Sequence, residues 1–162
     1  MAVDYQSMND MMSALVEVRT MTYSDLKQVV LVEKKAYPHP WTAGIFRDCL
    51  RVGHNAWVMT LDSAVIGYAI VMLSPGEAHI LNICIDPQYQ SKGLGRYLLR
   101  YLIKRTRRTD TDMVLLEVRR SNKNAQYLYQ SEGFHELGVR KAYYPAENGR
   151  EDAIILAKYL SK

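Results

Sequence analysis

Gln90-Ser91-Lys92-Gly93-Leu94-Gly95 lies between a run of strand-forming residues and an amphipathic helical pattern. Upstream, residues 78–85 are apolar and rich in β-branched side chains, which is typical of a strand. Downstream, apolar residues recur at helical spacing through residues 97–104. Glycines at such a junction let the backbone approach an anion closely, and the first amides of the helix point at that anion. The stretch therefore predicts a site for the phosphates of a cofactor.

Two other phosphate-binding loops do not fit this stretch. A Walker A loop requires a glycine, four further residues and then Gly-Lys-Ser/Thr, which this chain lacks. The dinucleotide fingerprint requires three glycines early in a βαβ unit, whereas Gly93 and Gly95 lie past the midpoint of the chain. Taken alone, the two glycines also fit a simple turn before a helix. The surrounding residues must therefore decide between these interpretations.

The pattern along the rest of the chain predicts an α+β domain. Helices are expected over about 22–35, 42–51, 93–107 and 122–132, and strands over about 15–19, 55–61, 65–73, 77–85, 113–119, 134–142 and 152–159. This order, β-α-α-β-β-β-α-β-α-β-β, favours a mixed central sheet in which the helix after the glycines connects two parallel strands. Residues 1–14 lack clear periodicity and are expected to form a flexible extension, followed by a single domain over residues 15–162.

Composition limits the class of protein. The chain has 162 residues, of which 48% are hydrophobic and 23% charged, as expected of one globular domain. No apolar stretch is long enough to span a membrane, and the beginning of the sequence lacks a signal-peptide pattern. Cys49 and Cys84, the two cysteines, fit a reducing compartment, so we expect a cytoplasmic protein. The four histidines show no metal-ligand spacing, and no metal is expected.

The densest basic run is Lys104-Arg105-Thr106-Arg107-Arg108, at the end of the predicted helix that follows the glycines. Cations in this position complement the dipole of the helix. The alternative is a contact with nucleic acid or with the adenosine phosphates of a cofactor. Because no aromatic residues interleave the run, direct binding of nucleic acid is not expected.

Several motifs together resemble the GNAT superfamily of acyl-CoA-dependent N-acetyltransferases. The pyrophosphate loop of that superfamily reads Q/R-x-x-G-x-G/A, which Gln90, Gly93 and Gly95 match. Within the superfamily the chain is similar to the bacterial group that acetylates the N-terminal alanine of ribosomal proteins. The segments that carry this similarity are 33–41, 81–87, 116–119, 121–134 and 143–153. The resemblance implies a GNAT-like fold with two strands splayed to hold acyl-CoA, and acetyl-CoA as the co-substrate.

The resemblance also implies which residues bind the cofactor. Main-chain groups of Ile83, Cys84 and Ile85 align with the segment that binds the acetyl group and the pantetheine arm, where an amide can act as an oxyanion hole. Asn122 matches a cofactor-contacting asparagine, although it also fits a helix N-cap. A covalent role for Cys84 is not favoured, because no motif places a histidine beside it. The pyrophosphate is expected to lie on the loop of Ser91, Lys92, Gly93, Leu94, Gly95 and Arg96.

Two catalytic residues follow from the same resemblance: Glu117 as the base and Tyr129 as the acid of a direct attack by an amine. From the sequence alone, Glu117 lies in the middle of a strand, where an ion pair with Arg119 or Arg120 is the alternative interpretation. A phenol is protonated at neutral pH and can donate its proton to a departing thiolate. From the sequence alone, Tyr129 is more simply an ordinary packing aromatic, since the chain contains 12 tyrosines.

Trp41, Tyr143 and Tyr144 are the candidate residues of an acceptor site, because they are aromatic side chains in predicted loops. Core packing explains Trp41 equally well, whereas the Tyr143-Tyr144 segment resembles the hairpin that covers the peptide in related N-terminal acetyltransferases. Glu33 and Asp152 are possible attractants for a basic peptide. The resemblance thus implies acetyl transfer from acetyl-CoA to the N-terminal alanine of a small-subunit ribosomal protein. The alternatives are a GNAT enzyme acting on lysine side chains or small amines, and a non-catalytic acyl-CoA- or RNA-binding module.

Overall fold

The computed structural model describes residues 5–161, which form an α+β structure. The helices of this part are α1 (Tyr5–Leu15), α2 (Leu26–Ala36), α3 (Ala43–Arg51), α4 (Leu94–Thr106) and α5 (Lys123–Ser131). The strands are β1 (Glu17–Thr20), β2 (Asn55–Leu61), β3 (Ala64–Ser74), β4 (Gly76–Ile85), β5 (Thr111–Arg119), β6 (His135–Ala146) and β7 (Gly149–Tyr159). Short 3-10 helices lie at Tyr23–Asp25 and Pro87–Tyr89. From β1 onwards, the order of helices and strands is the predicted one.

The strands are hydrogen-bonded in the order β1-β2-β3-β4-β5-β7-β6. β4 and β5 pair in parallel, from Gly76 opposite Thr111 to Ile80 opposite Leu116. In the chain, α4 lies between these two strands and forms their crossover connection. The predicted mixed sheet is therefore confirmed. The splaying of two strands to hold acyl-CoA stays a prediction.

Helix α1 precedes the predicted order of elements. The sequence predicts a flexible extension over residues 1–14, whereas Tyr5–Leu15 forms a helix. This segment contains methionine, alanine and leucine, which all have high helix propensity. Residues 1–4 lie outside the described part of the chain. The mobility of the extension, and a single domain over residues 15–162, stay predictions.

Tertiary contacts group the described residues into two compact units. Unit 1 runs up to Val71 and includes Asn82–Leu102, whereas unit 2 consists of Met72–Leu81 and the chain from Ile103 onwards. In unit 1, β2 pairs antiparallel with both β1 and β3. The core of this unit contains fully buried side chains from β2, β3, α2, α3 and α4, among them Val29, Phe46, Met59, Tyr68, Ile70 and Leu98.

Two predicted side-chain caps are present in unit 1, one at the 3-10 helix Tyr23–Asp25 that leads into α2 and one at α3. The Thr22 amide donates to Asp25 Oδ2 at 2.8 Å, which forms the capping box before α2. Thr42 caps α3, because its hydroxyl accepts a hydrogen bond from the Ile45 amide at 3.3 Å. Trp41 lies in the connection between these two helices, as predicted.

Unit 2 contains an antiparallel hairpin that differs from the prediction. The sequence predicts a long aromatic loop between strands ending at 142 and beginning at 152, but β6 extends to Ala146 and β7 begins at Gly149. The register shifts between the pairs Arg140–Ala153 and Tyr144–Glu151, so β6 carries two more residues than β7 over this span. Tyr143 and Tyr144 therefore lie on a bulged strand and not in a loop.

None of the helices in residues 5–161 is long and apolar enough to cross a membrane. In the same part of the chain, no three side chains of the metal-binding types come together. Cys49 and Cys84 are both buried free thiols.

Candidate active site

The predicted phosphate loop has the expected strand-loop-helix geometry in unit 1. Beyond the end of β4, Gln90 donates its side-chain amide to the Ile85 carbonyl at 2.8 Å, which ties the loop back to the strand. Ser91 and Gly93 both have a positive φ, of 61° and 79°. The Tyr97 amide donates to the Gly93 carbonyl at 3.0 Å, which forms the first turn of α4. A loop with this conformation turns successive backbone amides towards one side.

The residues of this loop fit a diphosphate. At the start of a helix the first amides have no acceptor within the helix, and they bind an anion directly. Lys92 and Arg96 add two positive charges to the same segment. A Cβ atom built on Gly93 has as its nearest neighbour the side chain of Asn9, at 3.7 Å, so α1 reaches this loop. Gly93 itself is exposed.

Main-chain groups of β4 lie close to the neighbouring strand because of a glycine that the sequence analysis missed. A Cβ atom built on Gly67 would come within 2.9 Å of the Cys84 carbonyl oxygen and 2.8 Å of the Ile85 side chain. A glycine in the interior of a strand signals such a close approach. Burial raises the pKa of the Cys84 thiol to about 11. A thiol with such a pKa is protonated at neutral pH, which disfavours a covalent role.

A buried carboxylate organises unit 1. Glu33 is only 2% exposed, and it accepts hydrogen bonds from the Trp41 amide at 3.1 Å, the Asn82 side chain at 3.1 Å and the Tyr68 hydroxyl. Burial raises the pKa of Tyr68 far above its ordinary value, with smaller contributions from Cys84 and Glu33. The interpretation of Glu33 as a surface attractant for peptides is therefore wrong, because its charge faces the protein interior.

Trp41 belongs to this organised region. Its ring packs against the ring of Phe46 with a centroid distance of 5.3 Å, and Phe46 in turn packs edge-on against Tyr68. Tyr37, from the same connection, donates its hydroxyl to the Ile83 carbonyl at 3.3 Å. The connection between α2 and α3 is thus fixed to the main chain of β4. Core packing accounts for Trp41 without a substrate.

Glu117 lies in unit 2 in the middle of β5, opposite Ile155 of β7. Its side chain is 12% exposed, and its Oε1 atom lies 3.0 Å from Arg140 Nε and 4.0 Å from His79 Nε2. The sequence suggests Arg119 or Arg120 as an ion-pair partner for Glu117. That interpretation is wrong, because these two arginines pair elsewhere: Arg119 with Glu151 at 2.8 Å and Arg120 with Asp152 at 3.4 Å.

The structure brings the two predicted acceptor tyrosines next to Glu117. Burial raises the pKa of Tyr143, and the negative charge of Glu117 and a hydrogen bond to it raise that pKa further. Burial, followed by the charge of Glu117, raises the pKa of Tyr144 to about 12. The two tyrosine rings meet edge-on at 5.0 Å. The Arg140 guanidinium lies over the Tyr143 ring at 5.5 Å from its centroid. A carboxylate, two neutral phenols and an aromatic face thus form one cluster.

The bulge that positions these tyrosines is held by polar contacts from β7. Arg150 donates to the Ala142 and Tyr143 carbonyls, each at 2.7 Å. Asp152 accepts a hydrogen bond from the Ala142 amide at 2.9 Å, which lowers the pKa of Asp152. Ala142 has a positive φ of 51°, a conformation that is strained for a residue with a side chain. Asp152 therefore shapes the hairpin, and it also pairs with Arg120 and Lys141.

The remaining candidate residues lie at the two ends of α5. Asn122 caps this helix, because its side chain accepts a hydrogen bond from the Ala125 amide at 3.1 Å. Gln126 donates to the Arg119 and Arg120 carbonyls at 3.0 and 2.9 Å, which ties the helix to the end of β5. Tyr129 is buried, with its ring 5.8 Å from that of Phe134.

Comparison with known proteins identifies the family. The acetyltransferase (GNAT) family model matches residues 16–134. The ribosomal protein bS18-alanine N-acetyltransferase of Escherichia coli K12 is 36% identical over 144 residues, which are 89% of this chain and 97% of that protein. The crystal structure of the ribosomal-protein-S18-alanine N-acetyltransferase from Escherichia coli has a TM-score of 0.86 at 35% identity, and the match covers 91% of this chain and 95% of the other. The chain belongs to the GNAT acetyltransferase family.

A more distant structure shares the fold alone. The NatC complex bound to Gag peptide and CoA has a TM-score of 0.77 at 17% identity, over 90% of this chain and 99% of the other. The predicted GNAT-like α+β fold and the predicted class of enzyme, an acetyltransferase, are both confirmed. GNAT acetyltransferases use acetyl-CoA as the acetyl donor. The roles of the individual site residues stay predictions.

Proposed function

We propose that this protein acetylates the N-terminal α-amino group of a protein, and that its acceptor is the N-terminal alanine of a small-subunit ribosomal protein. The observation that carries this proposal is the 36% identity to the Escherichia coli enzyme over 89% of the chain. Membership of the GNAT family indicates acetyl-CoA as the acetyl donor, and the name of the Escherichia coli relative indicates the acceptor. Ribosomal proteins as acceptors imply a cytoplasmic location, which also suits the two buried free thiols.

Glu117 is the proposed base. An α-amino group has a pKa of about 8, against about 10.4 for a lysine side chain, so it gives up its proton more readily at neutral pH. Glu117 accepts that proton, directly or through a water molecule, and the neutral amine attacks the carbonyl carbon of the thioester. Support for this role comes from the surroundings of the carboxylate: it lies at an aromatic cluster, and its ion-pair partner Arg140 is half in solvent.

Tyr129 is the proposed acid. As the new amide bond forms, the carbon–sulfur bond breaks and the thiolate needs a proton, which the phenol of Tyr129 donates. Asn122, Gln126 and Tyr129 occupy one face of α5 by their spacing. Capping by Asn122 and the bond from Gln126 to the end of β5 hold that helix in place. These contacts support the assignment, because they fix the helix that carries Tyr129.

The proposed cofactor site uses main chain more than side chains. Bound acetyl-CoA supplies an activated acetyl group. Amides and carbonyls of Ile83, Cys84 and Ile85 bind the acetyl group and the pantetheine arm, and Asn122 makes a further contact. The pyrophosphate is bound by the loop of Ser91, Lys92, Gly93, Leu94, Gly95 and Arg96. The positive φ values of this loop and the helix that begins at Leu94 support the assignment.

The proposed acceptor site consists of Tyr143 and Tyr144, with Trp41 as a further candidate. The phenols stay neutral at physiological pH, since their pKa values are raised, and their ring faces can contact a cationic peptide terminus through cation–π interactions. Arg119, fixed by Glu151, lies over the Tyr144 ring at 4.6 Å and holds that ring in place. Trp41 lies in the connection between α2 and α3, which is held rigid by the packing of its ring against Phe46 and by the hydrogen bond of Tyr37.

Competition between acceptors tests the proposal. The purified protein is given acetyl-CoA and three acceptors: a lysine-free peptide that begins with alanine, the same sequence with a blocked N-terminus and one internal lysine, and a small amine such as spermidine. We expect acetylation of the free N-terminus only, located by mass spectrometry. Comparable turnover on the lysine peptide or the amine would replace the proposal by another GNAT activity. Salt-sensitive RNA binding without any turnover would favour a non-catalytic module.

A further inference from the structure

In the structure, the proposed base Glu117 forms an ion pair with Arg140. Arg140 Nε lies 3.0 Å from Glu117 Oε1, so the proposed base already binds a cation. The other groups that face this carboxylate are His79 from β4 and the two tyrosines of β6. An acceptor ammonium group and Arg140 therefore compete for the same carboxylate, because Arg140 Nε already contacts the Oε1 atom of Glu117.

The features that hold Arg140 are those that recognise an ammonium group. A carboxylate supplies the opposite charge, and the face of the Tyr143 ring, 5.5 Å from the guanidinium, supplies a cation–π contact. A peptide N-terminus is also a cation, and it too can bind a carboxylate and the face of an aromatic ring. We infer that Arg140 is an internal cation that occupies the ammonium subsite of the acceptor, and that the peptide N-terminus displaces it from Glu117. This inference rests on the proposed N-terminal acetyltransferase function.

The exposure and position of Arg140 allow such an exchange. Its side chain is 54% exposed, and it lies on β6 directly before the bulge, where the strand pairing is interrupted. Arg119 is the contrasting case: it is 22% exposed and donates to Glu151 at 2.8 Å and to the Pro145 carbonyl at 2.7 Å. The guanidinium of Arg140 can therefore swing into solvent, whereas that of Arg119 is fixed.

Exchange of one cation for another keeps the largely buried carboxylate paired throughout. The resting protein avoids an unpaired charge at Glu117, which would be costly. The same arrangement lowers the apparent affinity for the acceptor. The acceptor binds only to the fraction of protein molecules in which Arg140 has left Glu117, and the apparent affinity falls in proportion to that fraction. Arg140 is thus a positioning residue that sets the KM for the acceptor, and its removal is expected to lower that KM.

Charge-matched variants test this inference. Arg140→Gln removes the internal cation, and Lys141→Gln removes the charge of the next residue, which is 84% exposed and 3.8 Å from Asp152. We expect Arg140→Gln to lower the KM for an alanine-first peptide about threefold to fivefold, as suits a partly exposed ion pair. Lys141→Gln is expected to change this KM less than 1.5-fold. Arg140→Lys is expected to return it towards the wild-type value, and the KM for acetyl-CoA serves as an internal reference.

The pH dependence separates displacement from a merely structural effect. The peptide terminus is an ammonium group at pH 7 and is mostly neutral at pH 9, since its pKa is about 8. His79 and the two tyrosines are the same in every variant, so the ratio of the KM values isolates the exchange. We expect the ratio between wild type and Arg140→Gln to approach one at pH 9.

Four results decide the matter. An equal fall in KM for Arg140→Gln and Lys141→Gln would overturn the inference, because it would reflect general repulsion of the peptide. A rise in KM for Arg140→Gln would also overturn it, since Arg140 would then bind the peptide itself. If the wild-type protein does not acetylate any free N-terminus, the proposed function fails and the inference fails with it. A normal wild-type rate without the KM shift removes the inference alone.

Discussion

Two glutamates of this protein lie in opposite kinds of surroundings. In unit 1, Glu33 is bound by neutral donors from three separate segments: the Trp41 amide, the Tyr68 hydroxyl and the Asn82 side chain. In unit 2, Glu117 faces Arg140, whose guanidinium is half in solvent. Both carboxylates are largely or fully removed from water. They differ in whether their partners can leave.

This difference separates a structural carboxylate, Glu33, from the proposed catalytic one, Glu117. The neutral partners of Glu33 belong to packed elements, so they can leave only if part of the fold opens. The cation beside Glu117 is carried by a flexible side chain at the surface, and a second cation can replace it without loss of pairing. Burial alone therefore does not distinguish Glu33 from the proposed base Glu117, whereas the exposure of their partners does.

Glu117→Gln is expected to have the largest effect. The amide keeps the shape of the side chain but cannot accept the proton of the acceptor, so kcat is expected to fall about 10²–10⁴-fold. Thermal unfolding is expected to change little, since the lost ion pair is partly exposed. Turnover at saturating peptide and acetyl-CoA, together with a melting curve, measures both quantities. A variant that keeps more than a tenth of the wild-type kcat would show that Glu117 is not the base.

Tyr129→Phe is expected to lower kcat by about 10–100-fold, as the loss of a proton donor does. Phenylalanine preserves the ring that packs against Phe134, and a melting curve separates a loss of stability from a loss of rate. The matched control is Tyr127→Phe in the same helix, because Tyr127 is 72% exposed. Equal kcat values for Tyr129→Phe and Tyr127→Phe would show that Tyr129 is only a packing aromatic and not the acid.

Much of the fold is readable from the sequence because its signals are local. The capping box of Thr22 and Asp25, the cap at Thr42 and the cap at Asn122 are each decided by residues within one turn. The hairpin of β6 and β7 was harder to predict from the sequence. Its bulge depends on Arg150 and Asp152, which bond to Ala142 and Tyr143 across the sheet, and such contacts leave no periodic pattern in the sequence.

The same distinction applies to the candidate site. The family resemblance pointed to Glu117, and the structure places it beside the two tyrosines that were assigned to the acceptor site. The partner of Glu117 was assigned wrongly, because Arg119 and Arg120 are near in sequence while Arg140 is near in space. Glu33 was assigned to the surface, since its three donors come from segments that sequence spacing does not connect.

Glu33→Gln tests the structural role of the other glutamate, and it is expected to change stability more than turnover. The amide replaces one acceptor oxygen by a donor, whereas the Trp41 amide, the Tyr68 hydroxyl and the Asn82 side chain all donate to this carboxylate, so the buried hydrogen bonds are disturbed. We expect the free energy of unfolding to fall by about 1–3 kcal/mol. The kcat of the folded fraction is expected to fall less than tenfold. Glu136→Gln, at an exposed position, is the control and is expected to change neither quantity. A kcat loss as large as that of Glu117→Gln would abolish the distinction between the two carboxylates.

Asp25 tests the case of a carboxylate whose cation is fixed. Arg19 donates to both carboxylate oxygens at 2.8 Å, and the Thr22 amide donates to one of them. The hydrogen bond from Arg19, and then the smaller contribution of Thr22, lower the pKa of Asp25 to about 2. Because this pKa is lower than that of the unfolded chain, about 3.9, the interaction stabilises the fold above pH 4 and is lost as the pH falls through 2.

Asp25→Asn is therefore expected to have the smallest effect, and one that depends on pH. The loss at pH 7 is expected to be about 1 kcal/mol, because Arg19 is partly exposed and solvent weakens the pair. Urea unfolding of both proteins between pH 7 and pH 2 measures the difference, which should shrink as the wild-type carboxylate becomes protonated. A difference that persists at pH 2 would mean that Asp25 acts as a neutral cap. The charge would then contribute nothing, and Asp25 would resemble Glu33, whose partners are all neutral.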